Sequence, residues 1–192
     1  RDLVRSRGLG DVYKRQFFAS VTARTAGFST FSFADFSNAG LLVMMVLMYI
    51  GASSGSTGGG IKTSTFFVLL MGVHGAASGQ SEKAFHYAIP KETFRKAAVI
   101  ALLALSMITV SGAAIAMLEP TLSLRDILFE MVSAFGTVGL STGITPGLSV
   151  GSKLISILMM FTGRLGPLTI ASLWHFNRIE RISYPEGNIS VG

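Results

Sequence analysis

The chain has 192 residues, 49% of them hydrophobic and 14% charged, with a mean hydropathy of +0.56. Soluble domains carry about 25% charged residues, so this balance, with fourteen Phe and nine Met, points to a membrane protein. The absence of cysteine excludes a disulfide framework and a thiolate metal site. Half of the net charge of +6 sits in residues 1–16, and the scattered remainder lacks the clustered basic face that nucleic-acid binding needs.

Residues 1–16 have no apolar core of the kind a signal peptide carries. They differ in character from everything after them and read as translated adaptor sequence. Phe17 to Arg24 forms a short amphipathic helix that ends at Thr25-Ala-Gly-Phe-Ser-Thr30. After a polar-aromatic connection, with Asp35 or Ser37 as N-cap, Ala39–Ile50 is a second helix. Its twelve residues reach about 18 Å at 1.5 Å each, against a hydrocarbon core about 30 Å thick. The helix therefore stops in mid-membrane, at Gly51-Ala-Ser-Ser-Gly-Ser-Thr-Gly-Gly-Gly-Ile-Lys-Thr63.

Glycine forfeits backbone entropy and helix propensity, so this segment is not expected to be helical. Irregular polar backbone at membrane depth is tolerable only against protein or a water-filled cavity. Thr63–Val73 completes the crossing as a second half-helix, and 17–73 form one unit. Residues 74–96 are a polar linker with Lys83, Lys91, Arg95 and Lys96. Ala97–Leu118 is an uncharged apolar run long enough to span, stopped by Glu119-Pro120. Leu124–Phe135 is short and too charged to cross, with Arg125, Asp126 and Glu130. It leads into Thr137-Val-Gly-Leu-Ser-Thr142. Lys153–Trp174 is apolar except for Arg164, and 97–176 form a second unit before a basic tail, 177–192. The basic linker and tail place both on the cytoplasmic side, so the Thr-x-Gly loops enter from the outer face.

An internal repeat organises these pieces. Thr25–Thr30 matches Thr137–Thr142 at four of six positions, and the same offset of 112 places Met48-Tyr-Ile-Gly51 on Met160-Phe-Thr-Gly163. The unit is a short helix, a Thr-x-Gly loop and an apolar helix. A dehydrated cation needs a ring of oxygen ligands, and backbone carbonyls supply them without fixed charge. Glycine lets the strand turn those carbonyls inward, threonine adds a hydroxyl, and helix C-termini present partial negative charge.

Phe18–Thr30, Gly51–Thr63, Ser133–Pro146 and Gly163-Arg-Leu-Gly-Pro167 together resemble the Trk/Ktr/HKT potassium transporters, and most of all the KtrB-type membrane subunit. The resemblance covers Phe17 to Gly192, and Tyr184–Gly192 looks like such a subunit's natural end. It implies an all-α integral membrane protein with four helix–pore loop–helix repeats around one pseudo-fourfold pore. This chain would hold the third repeat without its first helix, and the whole fourth. Thr25, Ala26, Gly27 and Phe28 would be one selectivity-filter strand, and Thr137, Val138, Gly139 and Leu140 another, with K⁺ at these residues. Gly51, Gly55, Ser56, Thr57, Gly58, Gly59, Gly60 and Lys62 would belong to an intramembrane gating loop, faced by Arg164. The resemblance further implies K⁺ as substrate, Na⁺ as candidate coupling ion, no covalently bound cofactor, a homodimer in lipid, a cytoplasmic nucleotide-binding ring as partner, and the bacterial cytoplasmic membrane as location. Both strands depart from the channel pattern Thr-Val-Gly-Tyr-Gly after their glycine, which puts Na⁺ exclusion in doubt.

Arg164 costs about 3 kcal/mol at a helix centre on insertion scales, so it is expected to bond loop carbonyls or repel cations in the pore, against snorkelling to an interface. For Lys62 the choice is open between gating and a solvated helix-end charge. His74, His86 and His175 are assigned no role, and Met44, Met45 and Met48 pack. The rival reading is a nucleotide-binding P-loop at Gly55–Thr63. Ile61 separates the last glycine from Lys62, whereas that motif needs the lysine directly after it. No catalytic residues are expected. Gly51–Thr63 and Gly163–Pro167 are expected to break their helices at one depth and to meet beneath the filter.

Overall fold

The computed structural model describes residues 9–29, 32–34, 36–78, 83–84, 87–88, 90–166 and 169. Asp35, His86, His175 and the tail 177–192 lie outside them. Among the described residues six α-helices follow in order: α1 Leu9–Thr22, α2 Asn38–Tyr49, α3 Thr63–Ser78, α4 Lys91–Leu118, α5 Leu124–Gly136 and α6 Val150–Leu165. Two two-residue strands, β1 Lys83–Ala84 and β2 Tyr87–Ala88, pair antiparallel between α3 and α4. A 3₁₀ turn, Thr145–Gly147, precedes α6.

The expected boundaries shift in three places. Helix α1 starts at Leu9, within residues 1–16. Helix α3 runs to Ser78 and α4 starts at Lys91, so both extend into the 74–96 linker. Helix α6 continues through Gly163 and Arg164 to Leu165, so the break expected over Gly163–Pro167 comes at Gly166 rather than at Gly163.

Helix α4 has 28 residues and is, among those described, the one helix long and apolar enough to cross a membrane. At 1.5 Å per residue it reaches roughly 42 Å. Helix α5 lies at the centre, against α2, α4 and α6. It is buried continuously from Phe129 to Gly136, with Phe129, Met131 and Phe135 closed off completely. The Phe33 ring lies 5.8 Å from Phe129, and Tyr49 stacks on Phe135 at 6.3 Å. The Tyr49 hydroxyl donates to the Ala101 carbonyl at 2.8 Å, tying α2 to α4. Leu102, Leu105 and Val110 of α4 and Leu154, Ile157, Leu158 and Phe161 of α6 face outward, a surface suited to lipid rather than water.

The 112-residue repeat is visible in the helix starts. Ser37 caps α2 by accepting from the Gly40 N–H, and Ser149 caps α6 by accepting from the Ser152 N–H. These serines stand 112 positions apart, as do the first residues of the two helices, Asn38 and Val150. The helices end differently: α2 stops at Tyr49, whereas α6 runs to the equivalent of residue 53.

Candidate functional site

The site forms where α5 ends. Thr137 turns left-handed, with φ 52° and ψ 38°. That conformation costs an L-residue about 1–2 kcal/mol, and the surrounding hydrogen bonds hold it. The Thr137 N–H donates to the Ala134 carbonyl at 3.0 Å and the Val138 N–H to the Ser133 carbonyl at 2.9 Å. This is the paired closure usually made with glycine at the left-handed position. It leaves the Phe135 carbonyl, in the last helical turn, free to accept from outside the helix. Thr25, at the equivalent position after α1, is also left-handed with φ 66°. Its closure differs: the Ala26 and Gly27 N–H groups both donate to the Thr22 carbonyl at 3.2 Å.

The two Thr-x-Gly segments lie side by side. A side-chain carbon on Gly27 would overlap the Val138 carbonyl oxygen, and one on Gly139 would lie 4.0 Å from the Gly27 Cα. Both glycines have positive φ, 74° and 89°, so glycine is needed there for conformation, and at Gly27 for space as well. The segments differ in burial: Phe28 is exposed, whereas Val138 and Leu140 are buried.

The glycine loop is pinned directly beneath these turns. At its neck the Gly51 N–H donates to the Ile61 carbonyl at 2.9 Å and the Ile61 N–H to the Tyr49 carbonyl at 3.1 Å. At its tip the Gly59 N–H donates to Thr137 Oγ1 at 2.9 Å, and the Gly60 N–H to the Phe135 carbonyl at 3.2 Å. An added side-chain carbon on Gly58 would lie 2.9 Å from Thr25 Oγ1, and one on Gly59 would lie 2.7 Å from the Phe135 oxygen. Gly58 and Gly59 thus touch one threonine each. Lys62 Nζ donates to the Gly58 carbonyl at 2.6 Å and to the Ser56 carbonyl at 2.9 Å, closing the loop on itself. Gly55, Ser56 and Thr57 form its exposed outer arc.

Of the two roles expected of Arg164, the bond to loop carbonyls is not made among the described residues. Arg164 is exposed in the last turn of α6 and makes no hydrogen bond or ion pair among the described residues. The side chain that binds loop carbonyls is Lys62. Arg164 lines a cavity of about 520 Å³ with Glu130, Thr137, Gly139 and Ser141. Gly163, the residue before Arg164 in α6, and Gly60 of the glycine loop both approach the Phe135 carbonyl. An added side-chain carbon on Gly163 would overlap the Phe135 carbonyl that accepts from Gly60.

Glu130 is a residue the sequence reading passed over. It is buried in the middle of α5. Its Oε1 accepts from Thr145 Oγ1 at 2.9 Å and from the Ser141 hydroxyl, fastening the segment after Gly139 over the helix. The available signal was a carboxylate in a largely apolar stretch of helix, where an unpaired charge is costly. At the other end of that segment Glu119 accepts from the Ser149 N–H at 2.8 Å. This bond, more than any other contact, holds the Glu119 carboxyl below the usual carboxylate range.

The P-loop alternative has no geometric support. A phosphate cradle needs free loop N–H groups, and those of Gly59 and Gly60 are committed to Thr137 and Phe135. The arrangement instead gathers two left-handed turns, adjacent glycines and a helix C-terminus over one docked loop. Residues 1–177 match the model of the TrkH family, described as cation transport proteins.

The chain belongs to the TrkH family.

Among its relatives, the potassium/sodium uptake protein NtpJ of Enterococcus hirae is 41% identical over 188 residues, covering 92% of this chain and 41% of the relative. The Ktr system potassium uptake protein B of Vibrio alginolyticus is 40% identical over 189 residues, 95% of this chain and 40% of the relative. The crystal structure of the potassium transporter TrkH from Vibrio parahaemolyticus matches with a TM-score of 0.71 at 21% identity, over 88% of this chain and 38% of that one. The chain therefore has the fold of a TrkH-type membrane transporter and spans about two fifths of the length of these relatives.

Proposed function

We propose that this chain lines a potassium uptake pathway as a multi-pass, pore-forming subunit of the bacterial cytoplasmic membrane. In this reading Thr25, Ala26, Gly27 and Phe28 and Thr137, Val138, Gly139 and Leu140 are filter strands whose oxygens replace the water of K⁺. The loop from Gly51 to Lys62 closes the pathway beneath them. The observation that carries the reading is the docking of Gly58 and Gly59 against the two turn threonines. It sets an irregular polar backbone at the mouth of a candidate ion path, where backbone of that kind is tolerated in a membrane. K⁺ is the transported substrate, Na⁺ the candidate coupling ion, and no covalent step is involved. The Ktr-system description of relatives supports work with further components, and we assign a homodimer and a cytoplasmic nucleotide-binding ring.

A second reading, a less selective Na⁺/K⁺ pathway, is favoured by Phe28 and Leu140 directly after the filter glycines and by the potassium/sodium description of one relative. One experiment addresses both. Gly139→Ser in the protein expressed from its complete reading frame, in cells lacking other K⁺ uptake, is expected to raise the K⁺ half-saturation concentration and to weaken discrimination against Na⁺. Unchanged K⁺ uptake kinetics would sink the filter assignment. Equal K⁺ and Na⁺ uptake before any substitution would favour the second reading.

A further inference from the structure

We propose that the Thr137 hydroxyl couples the glycine loop to ion occupancy: the docked loop and a K⁺ at the innermost filter position compete for this oxygen. The inference rests on the filter reading above and adds a reciprocal link between ion and loop.

The docked loop aims the positive end of the Gly59 N–H dipole at Thr137 Oγ1, 2.9 Å away. A cation that draws on the same oxygen meets that dipole head-on. The next residue adds to the opposition. Gly58 sits against the hydroxyl of Thr25, and its carbonyl carries the Lys62 ammonium at 2.6 Å. The loop tip therefore brings an N–H dipole to the place where an ion would gather lone pairs, with the Lys62 ammonium held on the carbonyl of the adjacent Gly58. Repulsion between like charges in a partly desolvated site exceeds that in water.

Two states follow. With the inner position empty, Thr137 accepts from Gly59 and the loop is docked. With K⁺ there, the hydroxyl serves the ion and the loop loses one anchor, so the remaining ones, Gly60 on Phe135 and the neck bonds of Ile61 with Gly51 and Tyr49, release together more often. By linkage the effect is mutual: K⁺ weakens docking by the factor by which docking weakens K⁺. One net hydrogen bond corresponds to about a five-fold shift in this equilibrium.

The test reads loop release directly. Ile61 is 2% exposed, and this chain has no cysteine, so Ile61→Cys reports undocking by its reaction rate with a water-soluble thiol reagent. The full-length protein is used in detergent, with any cysteine elsewhere in its reading frame replaced. K⁺ in place of a bulky organic cation is expected to speed modification about five-fold, the size of one net hydrogen bond. With Thr137→Val added, the rate should be high and insensitive to K⁺. Thr137→Ser, which keeps the hydroxyl, should restore the response. A rate independent of K⁺ with Thr137 in place, while Gly139→Ser still raises the K⁺ half-saturation concentration, overturns the coupling and leaves the filter reading standing. Uptake unaffected by Gly139→Ser removes the filter reading and the coupling with it. A K⁺ response that persists in Thr137→Val assigns the link to another group and likewise overturns the proposal.

Discussion

Gly163→Ala tests the contact on which the site's geometry turns. The added methyl would overlap the Phe135 carbonyl oxygen, and would lie 2.8 Å from its carbonyl carbon and 3.1 Å from its Cα. Carbon atoms rest at about 3.5–4.0 Å, so α6 and α5 must separate by about 1 Å. All three atoms are backbone, and no side-chain rotation relieves the overlap. Overpacking of this kind costs typically 1–3 kcal/mol, and a rigid partner puts this case near the upper figure. A loss of about 3 kcal/mol lowers the folded fraction relative to the unfolded by roughly two orders of magnitude. The same carbonyl accepts from Gly60, so the substitution should also loosen the glycine loop. The assay is the fraction of full-length protein that stays monodisperse in detergent after heating. Gly147→Ala is the control, because nothing lies within 4 Å of a side-chain carbon there. Gly163→Ala is expected to lose monodispersity at a clearly lower temperature than the control. Indistinguishable curves would show that α6 does not pack on α5 through this glycine.

Lys62→Met removes the ammonium that closes the loop on the Ser56 and Gly58 carbonyls. Half-exposed as it is, the pair of bonds is worth about 1 kcal/mol after solvent screening, so K⁺ flux at saturating concentration should rise about five-fold; unchanged flux would reassign Lys62 to a solvated helix end. Glu119 has a lowered carboxyl pKa in the folded protein, set first by the Ser149 N–H bond. A depressed folded value contributes stability above the unfolded pKa and loses it as pH falls through the folded one. Thermal stability should therefore decline on acidification below the usual carboxylate range, and Glu119→Gln should flatten that decline; an identical pH profile would remove Glu119 from the account.

The sequence made the periodic and compositional features legible. Helix α2 stops where glycines take over from apolar residues, α4 is a continuous apolar run, and the two Thr-x-Gly turns match at one offset. Ser37 was a readable cap, because a serine before an apolar run satisfies an otherwise open N–H. What escaped depended on tertiary contact. A lone glycine costs a helix only about 1 kcal/mol, so Gly163 does not break α6, and its close approach to Phe135 explains a glycine there. Arg164 looked like the natural partner of loop carbonyls because of its charge. Lys62 holds that role through nearness along the chain, four residues from Gly58. Nothing local foretold that Thr25 and Thr137 would be left-handed, since threonine rarely is. Glu130 was set aside as a charge too many for a crossing helix, when its partners, Ser141 and Thr145, lie beyond the turn.

The matched beginnings and unmatched ends of α2 and α6 carry a further consequence. Both helices start from a serine at the same place in the repeat, but one stops at Tyr49 and the other carries on through Leu165. Duplication of one part thus left the two copies interchangeable at one rim and specialised at the other. In the proposed pathway one copy would present an edge of helix and the other an edge of loop, so opening at the loop would be one-sided, like a door rather than an iris.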